Sequence, residues 1–335
     1  MNDRTFMRRA FALAAKVAPR ATSPNPRVGC VLVKGGRIVG EGAHLAYGKA
    51  HAEPNALAKA GARAKGATAY LTMEPCAPFA GKKTPSCAEA LAAAGARRVV
   101  CAALDPNPKV SGRGLALLRR AGVKTTRLPE YQAEAEALNR GFFSLMRRRR
   151  PWVILKTALS LDGKAAAVNG KSRWVTGKPA RAAVHRLRAE CDAILVGAGT
   201  VLADNPALTA HGAGKNPLRV ILGGRRRLPK TARVFDSSAP SVMYKEKGFP
   251  RRGVAKDLGL NGILWDLAKR GVGTVLVEGG PTVHASFLRA GLVDEVKVFL
   301  APKLLSGSDD PNTAPRLKTP KTSRLGDDWL VEGVL

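Results

Sequence analysis

The sequence predicts two successive α/β domains, the first a three-layer α/β/α sandwich, and three observations carry that expectation. Short apolar runs alternate with segments of helical period along almost the whole chain. At 335 residues the chain is too long for one compact domain of ordinary size. A basic run, Arg147 to Arg150, closed by Pro151, interrupts the pattern near the middle. The domains are therefore expected at residues 1–146 and 151–335, with 147–150 as a solvated linker.

In the first domain a helix is expected over 5–17, then strands 28–33 and 37–41 joined at Gly35-Gly36, a pair suited to a tight hairpin turn. Helix 52–64, strand 69–73, helix 86–94, strand 98–104, helix 112–121, strand 123–127 and helix 130–145 complete it. Pro75 is a good first residue for a further helix at the end of strand 69–73. The second domain reads as strand 152–158, helix 179–190, strands 192–196, 218–222 and 241–244, helix 261–270, strand 273–277, helix 281–290 and strand 294–300. Two glycine-bearing junctions, Gly197-Ala-Gly199-Thr200 and Glu278-Gly-Gly280-Pro281, each follow an apolar strand and enter a helix. Backbone amides at such turns cradle phosphates with little steric obstruction. The fingerprint G-x-G-x-x-G is absent, which argues against a Rossmann module.

The net charge of +31 invites a nucleic-acid reading, because basic proteins gather phosphate by releasing counterions. The excess is shared almost evenly between the two halves, and aromatic residues are only 5% of the chain, which leaves little material for base stacking. A generally basic surface suited to anionic small molecules fits better, with no nucleic acid required. No apolar stretch reaches the roughly 20 residues of a membrane span, and no signal peptide is evident, so a cytoplasmic protein without membrane contact is expected. Five cysteines, an odd number, point to reduced thiols.

Chemistry concentrates in His51-Ala52-Glu53, Glu74-Pro75-Cys76 and Cys87. Catalytic zinc takes three protein ligands and keeps its fourth tetrahedral position for water, a need that one imidazole and two thiols meet. His51, Cys76 and Cys87 are the candidate ligands of one zinc ion per chain, and Glu53 is the candidate proton shuttle between water, ring nitrogen and departing ammonia. Hydrolytic deaminases usually close this signature as P-C-x-x-C, whereas here Ala77 to Ser86 separate the two cysteines. That longer segment, with Lys82 and Lys83, suits a lid over an anionic substrate. Two rival readings share the zinc site: a tRNA adenosine-type deaminase with a basic RNA-binding second half, and an RNA-binding protein with structural zinc. Both leave the two glycine-bearing junctions without a role.

Ser23-Pro-Asn-Pro-Arg-Val-Gly29, His51-Ala-Glu53 and Glu74-Pro-Cys76 in the first half resemble the bifunctional riboflavin biosynthesis family RibD. So do Ser160-Leu-Asp-Gly163, Ser172-Arg-Trp174, His185-Arg-Leu-Arg188, Gly199-Thr-Val-Leu-Ala-Asp204 and Glu278-Gly-Gly280 in the second. The resemblance implies a cytidine-deaminase-like domain followed by a dihydrofolate-reductase-like domain, acting on a phosphorylated pyrimidine with zinc and NADPH; a homo-oligomer is expected. It implies that Asn25 contacts the pyrimidine, that Ser172, Arg188, Asp204, Leu208 and Glu278 contact the reductase substrate, and that Ala158, Trp174, Thr200 and Gly280 contact NADPH. Lys156 matches a residue close to the ribose being reduced. Arg188 offers a bidentate fork for phosphate. Arg225 to Arg227 are expected to meet the cofactor's 2′-phosphate, and His211 stands where the family often has arginine.

Overall fold

Two units are resolved in the computed structural model, which describes residues 2–78, 86–170, 174–223, 226–244, 259–325 and 328–334. One comprises residues 1–152 with 258–274, the other residues 153–257 with 275–335.

The first unit opens with α1 (Asp3–Ala15), started by the Asn2 side chain accepting the Thr5 N–H at 3.2 Å. A hairpin follows, β1 (Gly29–Lys34) and β2 (Arg37–Ala43), turned by Gly35 and Gly36 at positive φ. Then come α2 (Ala52–Ala60), β3 (Thr68–Met73), α3 (Cys87–Ala93), β4 (Arg98–Ala103), α4 (Arg113–Arg120), β5 (Lys124–Arg127), α5 (Gln132–Leu138) and α6 (Arg140–Arg148). The sheet runs β2-β1-β3-β4-β5, with β1 antiparallel to both neighbours and β3, β4 and β5 mutually parallel. Strand alternation divides the core. Cys30, Leu32, Leu71 and Val99 pack with α2, α3 and α4, whereas Val31, Val33, Tyr70 and Val100 pack with α1, α5 and α6. The result is the expected three-layer sandwich. A Cβ added to Gly42 would lie 2.2 Å from the Ala52 carbonyl and one on Gly40 2.3 Å from that of Ala56, so only glycine lets β2 approach α2 this closely.

Three expectations for this unit are corrected. No helix starts at Pro75: residues 74–78 are irregular, because the Glu74 carboxylate is committed to the start of α4. The helix expected over 130–145 breaks at Asn139, a buried amide that accepts the Arg27 N–H at 2.8 Å and donates to the Arg27 carbonyl at 3.0 Å. That clasp holds Asn139 at φ −122°, outside helical geometry. The basic run expected as a linker begins inside α6, where Arg147 pairs with Glu136 at 2.7 Å.

In the second unit β6 (Trp152–Ser160), α7 (Lys178–Glu190), β7 (Ala193–Gly197), α8 (Ala198–Asp204), β8 (Leu218–Leu222) and β9 (Ser241–Tyr244) come first. After α9 (Leu260–Lys269), which groups with the first unit, follow β10 (Thr274–Val277), α10 (Pro281–Arg289) and β11 (Glu295–Ala301). The sheet order is β11-β6-β10-β7-β8-β9, and β7 and β10 pair in parallel. Both glycine-bearing junctions therefore leave the same end of neighbouring strands. A final hairpin, β12 (Lys318–Leu325) and β13 (Asp328–Val334), was not expected from sequence. Every residue of β12 is exposed, Pro320 lies within it and its register shifts between Lys318 and Lys321, so the alternation that marks a half-buried strand is missing. Among the described residues no helix is long and apolar enough to cross a membrane.

Candidate functional site

His51 stands immediately before α2, Cys76 lies just past β3, and Cys87 is the first residue of α3. The His51 Nδ1 lies 3.7 Å from the Cys76 sulfur and 3.4 Å from that of Cys87, and the three ligand atoms are within 4.8 Å of one another. Tetrahedral zinc bonded at about 2.3 Å to sulfur and about 2.0–2.1 Å to nitrogen sets N···S separations of about 3.5 Å. The donor set and its spacing fit zinc. The Cys87 N–H points at the Cys76 sulfur at 3.4 Å, so the favourable helix N-terminus beside Cys76 is that of α3, not of a helix at Pro75.

The ligands are held by contacts that sequence reading did not find. Glu74, 4% exposed, accepts backbone N–H groups from Asp105, Gly112, Gly114 and Leu115 at 2.9–3.3 Å. It thereby caps α4, whose own N-cap is a glycine, and fixes the segment before Cys76. Ser86 accepts the Glu89 N–H and donates to the Cys76 carbonyl at 2.9 Å, joining the far end of the zinc loop to its start. Gly114 faces Pro75 so closely that an added Cβ would sit 1.9 Å from the Pro75 carbonyl. Gly114→Ala is expected to displace Cys76 and weaken zinc retention by roughly ten- to a hundredfold, read by chelator competition with unchanged helix content.

A cavity of about 430 Å³ opens onto this cluster, lined among others by Asn25, His44, His51, Glu53, Cys76 and Asp105. Asn25 is thus placed with the zinc ligands, on the segment that Asn139 holds through Arg27. Glu53 is 3% exposed, and burial, followed by the charge of Cys76, pushes its carboxyl up to about 7. Burial likewise raises Asp105 to about 7. His44, 2% exposed, approaches the Ala50 carbonyl with Nδ1 at 3.1 Å, leaving a buried Nε2 without a partner among the described residues. If Nδ1 carries the proton, Nε2 is an acceptor. Burial lowers the His44 pKa and so favours the neutral ring.

A second constellation lies in the other unit. Glu278, directly after β10, accepts a bidentate pair from Arg188 of α7 at 2.8 and 3.0 Å and lies 3.6 Å from the Lys156 ammonium on β6. Both arms of the Arg188 fork expected for phosphate are therefore turned to Glu278. Burial works to raise the Glu278 carboxyl, but Arg188 and then Lys156 hold it below its ordinary value. Ala158 shares the strand face of Lys156. Thr200 and Gly280 are brought together, since a Cβ on Gly280 would lie 3.7 Å from the Thr200 hydroxyl. Trp174 is half exposed beneath the Arg181 guanidinium, 4.4 Å away. Asp204 ends α8 half-buried, and Leu208 is buried with φ +53°. Ser172 and Arg225 lie outside the described residues. The Arg226 guanidinium covers Gly199, where an added Cβ would meet its Nη1 at 3.1 Å.

Comparison with known proteins accords with both constellations. Residues 1–103 match the cytidine and deoxycytidylate deaminase zinc-binding region, and residues 151–331 match the RibD C-terminal domain. The riboflavin biosynthesis protein RibD of Haemophilus influenzae is 40% identical over 97% of this chain and 91% of its own length. That of Escherichia coli is 40% identical over 92% of this chain and 90% of its own. Acinetobacter baumannii RibD superposes with a TM-score of 0.83 at 37% identity, covering 98% of this chain and 97% of that one. A diaminohydroxyphosphoribosylaminopyrimidine deaminase/5-amino-6-(5-phosphoribosylamino)uracil reductase from Thermotoga maritima gives 0.81 at 37% identity with the same coverage. With matches running the length of the chain, this protein belongs to the RibD family of riboflavin biosynthesis proteins, which join a zinc-binding deaminase domain to a reductase domain.

Proposed function

We propose that residues 1–146 deaminate 2,5-diamino-6-ribosylamino-4(3H)-pyrimidinone 5′-phosphate and that residues 151–335 then reduce the ribosyl group of the product to ribityl with NADPH. The observation that carries the reading is the His51, Cys76 and Cys87 cluster, with buried Glu53 beside it, at the wall of a cavity large enough for a pyrimidine. His51, Cys76 and Cys87 would hold zinc, which when bound would supply the Lewis acidity that lowers the pKa of water to about 7. Glu53, buried beside those residues, then holds and moves protons: it takes one from water, gives one to the ring nitrogen and assists the departing ammonia. Asn25 and His44 orient the ring through their cavity-facing polar groups. Water replaces the exocyclic amine, so one ammonia leaves per turnover.

In the second half the Lys156 ammonium, steadied by Glu278, places a proton beside the sugar, where ring opening needs one at the ring oxygen as C1′ is reduced. Thr200 and Gly280, brought together at the paired turns, would hold NADPH together with Ala158 and Trp174, and the cofactor would supply the hydride. Ser172, Arg188, Asp204, Leu208 and Glu278 form the substrate side. Arg226 over Gly199 reads the cofactor's 2′-phosphate: Arg226→Ala should raise the NADPH KM at least tenfold with the NADH KM unmoved, and unchanged NADPH preference would remove Arg226 from this role. The edge strand β11 exposes Val296, Val298 and Leu300 on one face, a surface suited to a second copy, so a homo-oligomer is proposed and a monomer in sedimentation would contradict it. Five cysteines outside any disulfide fit a reducing cytoplasm.

Incubating the chain with the diaminopyrimidine and NADPH tests the whole reading. Ammonia and NADP should accumulate in equal amounts, ammonia first. NADPH oxidation without ammonia would remove the deaminase assignment, and ammonia without NADPH oxidation the reductase assignment.

A further inference from the structure

Between α8 and β8 the chain adopts a conformation that its residues ordinarily avoid. Asn205, Leu208 and His211 all have positive φ, at +40°, +53° and +46°, although none is glycine. Such backbone persists only where surrounding contacts over-determine it, and it concentrates at ligand-binding sites. Here the contacts are identifiable. The Asn205 Oδ1 accepts the Arg233 N–H at 2.9 Å, and Arg219, fully buried, donates to the Ala207 carbonyl at 3.3 Å. Arg188 donates to the Thr209 carbonyl at 3.1 Å, and the His211 ring stacks on His185 at 4.3 Å. The Asn216 Oδ1 accepts the Ala210 N–H at 2.8 Å while its Nδ2 donates to the Ser238 carbonyl at 3.0 Å.

At the centre of these tethers the Leu208 side chain enters the core formed by Ile194, Val196, Ile221 and Val234. The residue is 2% exposed, yet neither its amide N–H nor its carbonyl meets a partner among the described residues. Buried backbone groups are almost always paired, with protein, ligand or ordered water, so an unmatched pair on a strained, firmly held segment is open to the polar groups of a ligand. Thr209 is one hydrogen bond from the Arg188–Glu278 pair, so the segment borders the reductase constellation.

We propose that Asn216 is a positioning residue of the reductase: through Ala210 it locks residues 205–211 so that the Leu208 backbone is presented, already in its bound conformation, to the phosphoribosylaminouracil. The inference rests on the reductase reading and adds to it a residue that acts through the Ala210 backbone. Preorganisation of this kind lowers the ordering cost of binding and leaves the chemical step alone. In the full-length protein, Asn216→Ala should raise the KM for 5-amino-6-(5-phosphoribosylamino)uracil about tenfold, with kcat within threefold of wild type and the NADPH KM unchanged. Asn216→Asp keeps the acceptor for Ala210 and sets a carboxylate oxygen against the Ser238 carbonyl only at an exposed position that water screens, so it should restore a KM near the wild-type value. An unchanged KM in Asn216→Ala, a parallel loss of kcat and NADPH affinity, or failure of Asn216→Asp to restore KM would each overturn the proposal. A wild-type chain that oxidises no NADPH with this substrate would instead overturn the reductase reading, and the proposal with it.

Discussion

Glu53→Gln should end ammonia release, lowering kcat for deamination by roughly 10²–10⁴, while the already deaminated substrate is still reduced with NADPH at the wild-type rate. Glutamine keeps the shape of the side chain but neither takes nor gives the proton that Glu53 carries, and it leaves His51, Cys76 and Cys87 in place to hold zinc. A second effect has the opposite sign. In the zinc-free chain the Glu53 carboxyl is raised to about 7, above the ordinary value of about 4.5 that it regains on unfolding. Ionisation therefore costs the native state increasingly as pH rises from about 4.5 to 7, and the cost is constant above that range. Glu53→Gln removes it, so the zinc-free variant should match wild type at pH 4 and gain up to about 3 kcal/mol at pH 8. Chemical denaturation at the two pH values measures the difference; equal stability at both would deny that Glu53 is desolvated. Loss of reduction together with deamination would refute independent sites.

Glu278→Ala should be the most damaging substitution in the second half. It strands the Arg188 guanidinium, whose side chain is only 13% exposed, without its carboxylate, and takes the nearby anion from Lys156. Breaking a buried pair by removing one partner costs about 3–5 kcal/mol. Because Arg188 keeps its bond to the Thr209 carbonyl, the lower end is expected, a fall in Tm of about 6–12 °C for a unit of this size. Reduction should fall at least a hundredfold while ammonia release continues. The pH dependence follows from the lowered Glu278 pKa: its stabilisation is present above the ordinary carboxylate value and disappears as pH falls through the lower folded value. The stability difference between wild type and variant should accordingly shrink in acid, as thermal melts at pH 7 and pH 3 would record.

The zinc cluster was legible because imidazole, thiol and carboxylate at such spacing form a compound pattern that ordinary packing does not require. The apolar runs of β1, β3 and β4 were equally readable, each strand being buried on both faces. What failed to show in the sequence acts through distant partners. Glu74 was visible as the neighbour of Cys76, but its four backbone donors come from residues 105–115. Asn139 reads as a helix residue until Arg27 engages its amide. Arg188 reads as a phosphate fork until Glu278 occupies it, a pairing across 90 residues. Leu208 gives no local hint of a left-handed backbone, which tertiary tethers impose against its preference.

Deamination by this chain requires that His51, Cys76 and Cys87 hold zinc, so that water becomes reactive beside Glu53. Metal content and ammonia release, measured on one purified sample supplied with the diaminopyrimidine substrate, test that most directly. The expected result is one zinc per chain, with ammonia produced in proportion to zinc occupancy. A chain carrying stoichiometric zinc that releases no ammonia from this ring, or one that releases it at full rate after zinc is stripped, would contradict the account.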